Sequence, residues 1–244
     1  MKNQNWAFPL EDLDRNFDKY CDVIKAEKFH LARSDFLREW RFLEIIWNRL
    51  EEDYRIFNAS RSQIKDGTAE NFKHNVRIGR MLVHSLECVH LDTNCFIMNA
   101  RILMDRVAYL TSFFWQKIAK RQPEWASFKE HKDWFMSSDK KSCILDRDYA
   151  TYITQHTDWF EKKLKDIRDD FIVHRQGSYI DMYKEESTGT VMAGRAVFKD
   201  KNGQASIEYD TKQFPDLNEL MDDICDYLDF FDKHFSEKLR SPKL

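Results

Sequence analysis

LKDIRDDFIVHRQG, residues 164–177, sets apolar Leu164, Ile167 and Phe171 at three- and four-residue intervals and then meets Gly177. That is the period of an amphipathic α-helix followed by a residue suited to ending one. Near its end the helix carries Arg168, Asp169 and His174. A permanently charged guanidinium and the one side chain that titrates near neutrality thus share one helix end, and together they have the ingredients of phosphate chemistry.

The order Arg168, polar Asp169, four more residues, His174 and a trailing Arg175 resembles the signature of the HEPN family, small α-helical proteins many of which are metal-independent ribonucleases. The segment FIMNARILMDRVAYL at 96–110 resembles the long core helix that such proteins place ahead of the motif, so the resemblance spans roughly residues 90–177. Arg77 and His84 repeat a similar spacing, but apolar Ile78 follows Arg77 where the signature has a polar residue. The resemblance implies an all-α, HEPN-like helical bundle, RNA cleavage without metal or cofactor, and catalysis by Arg168 and His174. It further implies Asp169, Arg175 and Arg101 in substrate binding or support, a composite site formed by a homodimer, RNA as partner, a toxin or phage-defence role and a cognate antitoxin.

A chain of 244 residues with 42% hydrophobic residues, 14% aromatics, 6 Gly and 4 Pro describes one globular, helix-rich domain over 1–244. The net charge of −3 gives no overall pull towards nucleic acid, so any RNA contact is local. The five cysteines, at 21, 88, 95, 143 and 225, form no CxxC pair and read as reduced thiols of a cytoplasmic protein. The first residues contain no apolar signal core, and no run of about 18 apolar residues occurs, so secretion and membrane insertion are not expected.

Outward from the motif, the spacing predicts a helix over about 10–30 and a second one capped by Ser34 and running to Tyr54, the two pairing antiparallel. Gly67 breaks the chain. A third helix runs from Asn71 to near His90, and Asp92 caps a fourth over 93–120 whose narrow polar stripe passes through Arg101, Asp105, Ser112 and Gln116. Pro123 precedes a short helix at 124–136, and a fifth long helix over 146–176 carries the motif. Runs at 190–199 and 204–210 around Asn202-Gly203 predict a β-hairpin with Phe198 opposite Ile207 and Ala196 opposite Tyr209, an appendage of about 188–211 inserted before the last helix. Pro215 opens that helix, 216–238, with Leu220, Ile224, Leu228, Phe231 and Phe235 inward.

Cleaving RNA without a metal takes a base for the 2′-hydroxyl proton, an acid for the leaving 5′-oxygen and a fixed cation for the phosphorane. Arg168 and His174 stand about 120° apart around an ideal helix, so one helix does not aim both at a single phosphate. Two copies across a twofold axis do. A catalytically inactive module that binds RNA, nucleotide or protein is the second reading. A di-iron oxidase is the third, because Glu27-x-x-His30 and Glu87-x-x-His90 share the spacing of helical-bundle iron ligands, with Glu44 and Glu161 as further candidates.

Overall fold

The computed structural model describes residues 8–24, 27–62, 76–119, 125–137, 146–166, 180–184, 191–201, 204–210 and 217–240. The expected breaks at Gly67 and Pro123, the helix start at Asn71, the helix stop at Gly177, the Asn202-Gly203 turn and Pro215 fall outside them. The protein is predominantly α-helical: α1 Phe8–Ile24, α2 Glu27–Ser62, α3 Val76–Ala119, α4 Phe128–Met136, α5 Arg147–His156 and α6 Leu217–Arg240, with a π-helical segment at Phe160–Lys165. Three antiparallel strands, β1 Ile180–Lys184, β2 Val191–Lys201 and β3 Gln204–Asp210, form a sheet in that order. The Cα partners include Ile180 with Arg195, Phe198 with Ile207 and Ala196 with Tyr209. No helix among the described residues is long and apolar enough to cross a membrane.

The helix expected over about 10–30 ends at Ile24, and Glu27 already belongs to α2. Two further expected helix starts lie inside longer helices, for one reason. Ser34 is not a cap but an exposed residue inside α2. Buried Phe29 and Ala32 precede it, and Phe36, Trp40, Leu43, Trp47 and Leu50 carry the same three-to-four spacing past it, so the apolar face never changes phase. Asp92 likewise lies within α3. Ser85, Val89, Asp92 and Phe96 continue one buried face through the point where a break was expected. Neither Gly nor Pro interrupts either stretch, and a cap-type residue alone costs a helix too little to end it.

The chain forms two compact units. The first comprises residues 1–41, 100–165 and 215–244, and the second 42–99 and 166–214; the division falls inside α2 and α3 rather than in a linker. The first unit is built on aromatic rings. Phe114 meets Tyr20 and Phe231 edge-on at 5.1 and 5.5 Å and lies tilted against Phe235 at 4.5 Å, which joins α1, α3 and α6. Phe17 of α1 reaches Phe29 and Phe36 of α2, and Asp18 pairs with Arg33 beside them. Such ring pairs add about 0.5–1.5 kcal/mol each beyond the area they bury.

In the second unit Trp47 of α2 packs on Phe96 of α3 at 5.3 Å, and Arg49 pairs with Asp92 at 2.7 Å. The Asp92 side chain is 1% exposed and that of Arg49 57%. Burial pushes the Asp92 carboxyl above its usual range; Arg49 opposes this, and the charge of Asp53 adds to it. The ion pair therefore compensates for a desolvated charge rather than adding net stability. Asp92→Asn is expected to leave the unfolding free energy at pH 7 unchanged, or to raise it by up to about 1 kcal/mol, as read by urea denaturation. A loss above about 2 kcal/mol would show instead that the carboxylate is needed.

Candidate functional site

Arg168, Asp169, His174 and Arg175 lie outside the described residues. Arg101 is within them, and so is the stretch 146–166 that leads the chain to the motif. This stretch is not the single helix that its period suggests. It opens on Asp146, whose Oδ1 accepts the Tyr149 amide at 3.0 Å as the N-cap of α5. It then breaks at Thr157, which has φ −119° and ψ 20°.

The break has a local chemical cause. The β-branched Thr157 donates its hydroxyl back to the Ile153 carbonyl at 2.6 Å. Its own carbonyl accepts the Phe160 amide at 3.1 Å and the Lys132 ammonium at 3.0 Å, so it closes a tight turn in place of the α-helical bond to Glu161. From Phe160 to Lys165 the chain winds as a π-helix with Phe160 and Leu164 fully buried. Such segments occur disproportionately at functional sites.

Lys132 is the residue that the sequence reading passed over. Its side chain is 3% exposed and its Nζ also meets Glu161 Oε2 at 2.6 Å and Asp158 Oδ1 at 3.4 Å. A desolvated ammonium persists only with such partners. The signal was present in α4, where Phe128, His131, Lys132 and Phe135 take positions i, i+3, i+4 and i+7: a charge stands on the buried face.

Arg101 braces the same segment from α3. Its guanidinium carbon lies 4.4 Å from the centre of the Phe160 ring, and its Nη1 is 3.2 Å from Asp105, which accepts the Phe128 amide at 2.8 Å. With 8% of its side chain exposed, Arg101 faces the interior of the first unit and supports the π-helix rather than presenting a cation to substrate. Ser112 of the expected polar stripe is likewise buried, with its hydroxyl on the Tyr109 carbonyl.

Two polar clusters fix α5 within the first unit. Asp146, 1% exposed at its side chain, takes His234 at 2.7 Å and Lys238 from α6. Burial pushes its carboxyl up, but hydrogen bonds from His234, Lys238 and the Tyr149 amide outweigh this and hold it down at about 2. Deeper in, Thr111, His131, Tyr149 and Tyr227 form a hydrogen-bonded row with spacings of 3.4, 2.9 and 2.8 Å. Burial holds the His131 imidazole down at about 3, and burial pushes both tyrosine hydroxyls up, so the row is neutral.

The residues of the di-iron reading do not converge. Glu27, His30 and Glu87 are exposed, Glu161 is bound to Lys132, and no three metal-binding side chains come together among the described residues. At the look-alike motif, exposed His84 stands 3.8 Å from the Cys88 thiol. Burial and the charges of Asp53 and Asp92 push that thiol up, with Arg49 opposing them, the direction that disfavours the thiolate.

These shifts set the acid sensitivity. The unfolded chain protonates His131 at the ordinary value of about 6.5 while the folded chain resists to about 3, so stability is lost as pH falls through that interval. Asp146, lowered from 3.8 to about 2, contributes about 2 kcal/mol that is present at neutral pH and lost between about pH 4 and 2. Urea unfolding from pH 7 to pH 4 is expected to show a shallower loss in His131→Gln than in the parent chain. Asp146→Asn keeps the cap, and is expected to cost about 2 kcal/mol at pH 7. A parent-like slope in the first variant, or parent-like stability in the second, would assign the acid sensitivity to other groups.

No protein-family model, no curated protein and no solved structure matches the chain.

Proposed function

We propose that this chain is a metal-independent endoribonuclease of HEPN type, acting as a homodimer. The observation that carries the reading is the sequence Arg168-Asp169 with His174 and Arg175 behind it, on a predominantly helical chain. What supports it further is the anchoring of the preceding segment, where Lys132, Arg101 and the buried Phe160 and Leu164 hold residues 158–165 in place within the first unit. A catalytic pair works only from a fixed base, since a misplacement of about 1 Å can cost about 10²-fold in rate.

In the proposed reaction a histidine removes the 2′-hydroxyl proton and O2′ attacks phosphorus. The P–O5′ bond breaks as an acid, the protonated copy of the histidine on the partner chain, gives its proton to O5′. The guanidinium of Arg168 neutralises the charge on the phosphorane oxygens. The products are a 2′,3′-cyclic phosphate and a 5′-hydroxyl. The resemblance extends the proposal to a toxin or phage-defence role, with an antitoxin protein as a natural antagonist.

Purified protein incubated with single-stranded RNA in EDTA tests the reading. Cleavage is expected to persist in chelator, to fall by about 10²-fold or more in His174→Ala, and to fall in Arg168→Lys, which keeps the charge but loses the planar fork. His84→Ala, at the look-alike spacing, is expected to cut like the parent. Loss of activity in EDTA, or a parent-like rate in His174→Ala, overturns the assignment; RNA that is bound but not cut makes the chain the inactive binding module.

The anchoring makes a second prediction. Lys132→Met leaves the Glu161 carboxylate and the Thr157 carbonyl without their common donor, and is expected to cost about 2–3 kcal/mol in urea denaturation and to lower cleavage in the surviving folded fraction. Parent-like stability would show that water replaces the ammonium without loss.

A further inference from the structure

In the second unit the first turns of α3 are two-faced, and their outer face is apolar where a solvated helix is polar. Ser85, Val89, Asp92 and Phe96 point into the unit. On the opposite side, within a sector about 100° wide at about 100° per residue, stand Val76, Arg80, Val83, His84, Glu87 and Leu91. Val76 and Val83 are each 53% exposed and Leu91 56%. Three large aliphatic side chains along about 24 Å of one helix form a stripe rather than scattered exposure.

The charges on this stripe are arranged in a way that selects a partner. Arg80 has no acid three or four positions away on the helix, and Glu87 has no Lys or Arg there, only His84 and His90. The positions are symmetric about the midpoint between Val83 and His84: Val76 mirrors Leu91, Arg80 mirrors Glu87, and Val83 mirrors His84. A twofold axis through that midpoint sets the helix antiparallel to its own copy. Apolar then meets apolar at both ends of the stripe, and each Arg80 meets a Glu87 of the other chain, twice over. This self-complementarity is what an isologous contact requires, and the paired charges fix its register.

We infer that residues 76–91 of α3 form a homodimerisation surface in which two copies pack antiparallel through Val76, Val83 and Leu91, with reciprocal Arg80–Glu87 ion pairs. The surface is carried by α3 alone and does not depend on the proposed nuclease activity. A face of this length lies at the small end of specific interfaces, so the association belongs in the micromolar range.

Sedimentation velocity of the full chain from about 1 to about 100 µM tests this without reference to RNA cleavage. The parent chain is expected to move from monomer to dimer. Arg80→Glu and Glu87→Arg are each expected to weaken the association at least about tenfold, by setting like charges opposite one another, and the double exchange is expected to restore it to within about threefold. Leu91→Asp, on the exposed face, is expected to keep the folded circular dichroism spectrum and to abolish the dimer. A chain that stays monomeric throughout, a dimer indifferent to Arg80→Glu, or a double exchange no better than the single variants overturns the inference. The second of these outcomes would place the self-contact elsewhere on the chain and leave the nuclease reading intact.

Discussion

The first unit depends on how one buried charge is neutralised. Lys132 brings an ammonium into the interior beside α5, and the break in the following helix at Thr157 supplies a carbonyl to receive it, with Glu161 and Asp158 supplying the countercharge. Neither feature is stable without the other: a lysine without these acceptors would be a desolvated charge, and a helix broken without the lysine would leave a carbonyl that the Phe160 amide satisfies only in part. The π-helical winding from Phe160 follows from the same exchange. Once Thr157 has closed on Phe160, the chain is out of phase with α5, and widening the turn is one way to return Phe160 and Leu164 to the buried face.

The aromatic core supplies the rigid setting in which that exchange is worth keeping. Trp115 and Phe235 meet the ring of Tyr149, whose hydroxyl bridges His131 and Tyr227. A polar row inside an apolar core costs little when each member has a partner and is neutral, and the depressed imidazole and raised phenols meet that condition. The same row makes the core directional. Rings alone tolerate sliding, whereas hydrogen bonds among α3, α4, α5 and α6 at 2.8–3.4 Å admit one register.

The parts of this fold that were legible in the sequence are those with an unbroken period. The inward residues of α6, from Leu220 to Phe235, and a helix starting at Asp146 followed from apolar spacing and residue type. The breaks were less legible, because capping residues mark where a helix is permitted to start, while the phase of the buried face decides whether it does. That is why Ser34 and Asp92 lie inside helices and why α5 ends at Thr157 without a Gly or Pro to stop it. β1 was not anticipated because Ile180–Lys184 is only five residues long and acquires its meaning from pairing with β2. At the candidate site, the motif at 168–174 was readable as spacing alone. The inward turn of Arg101 depended on Phe160, some sixty positions along the chain, which no local pattern reveals.

The acidic face of α6 gains a structural meaning from the same partners. Five aspartates between Asp222 and Asp232 on a chain of net charge −3 suggest a surface that repels RNA. Several of those carboxylates are already committed. Asp232 accepts from Asn16 and Tyr20 of α1, each at 2.8 Å, Asp223 and Glu219 hold Lys163 of the π-helical segment at 2.9 and 3.2 Å, and Asp229 pairs with Lys233 along its own helix. Their hydrogen bonds and charge raise the Lys163 ammonium against the opposing effect of burial. The acids thus act as hooks that fasten α1 on one side and the segment before the motif on the other. Because Asp223, Asp229 and Asp232 are each matched by a donor or a cation, the field the five project towards a polyanion is weaker than their number implies.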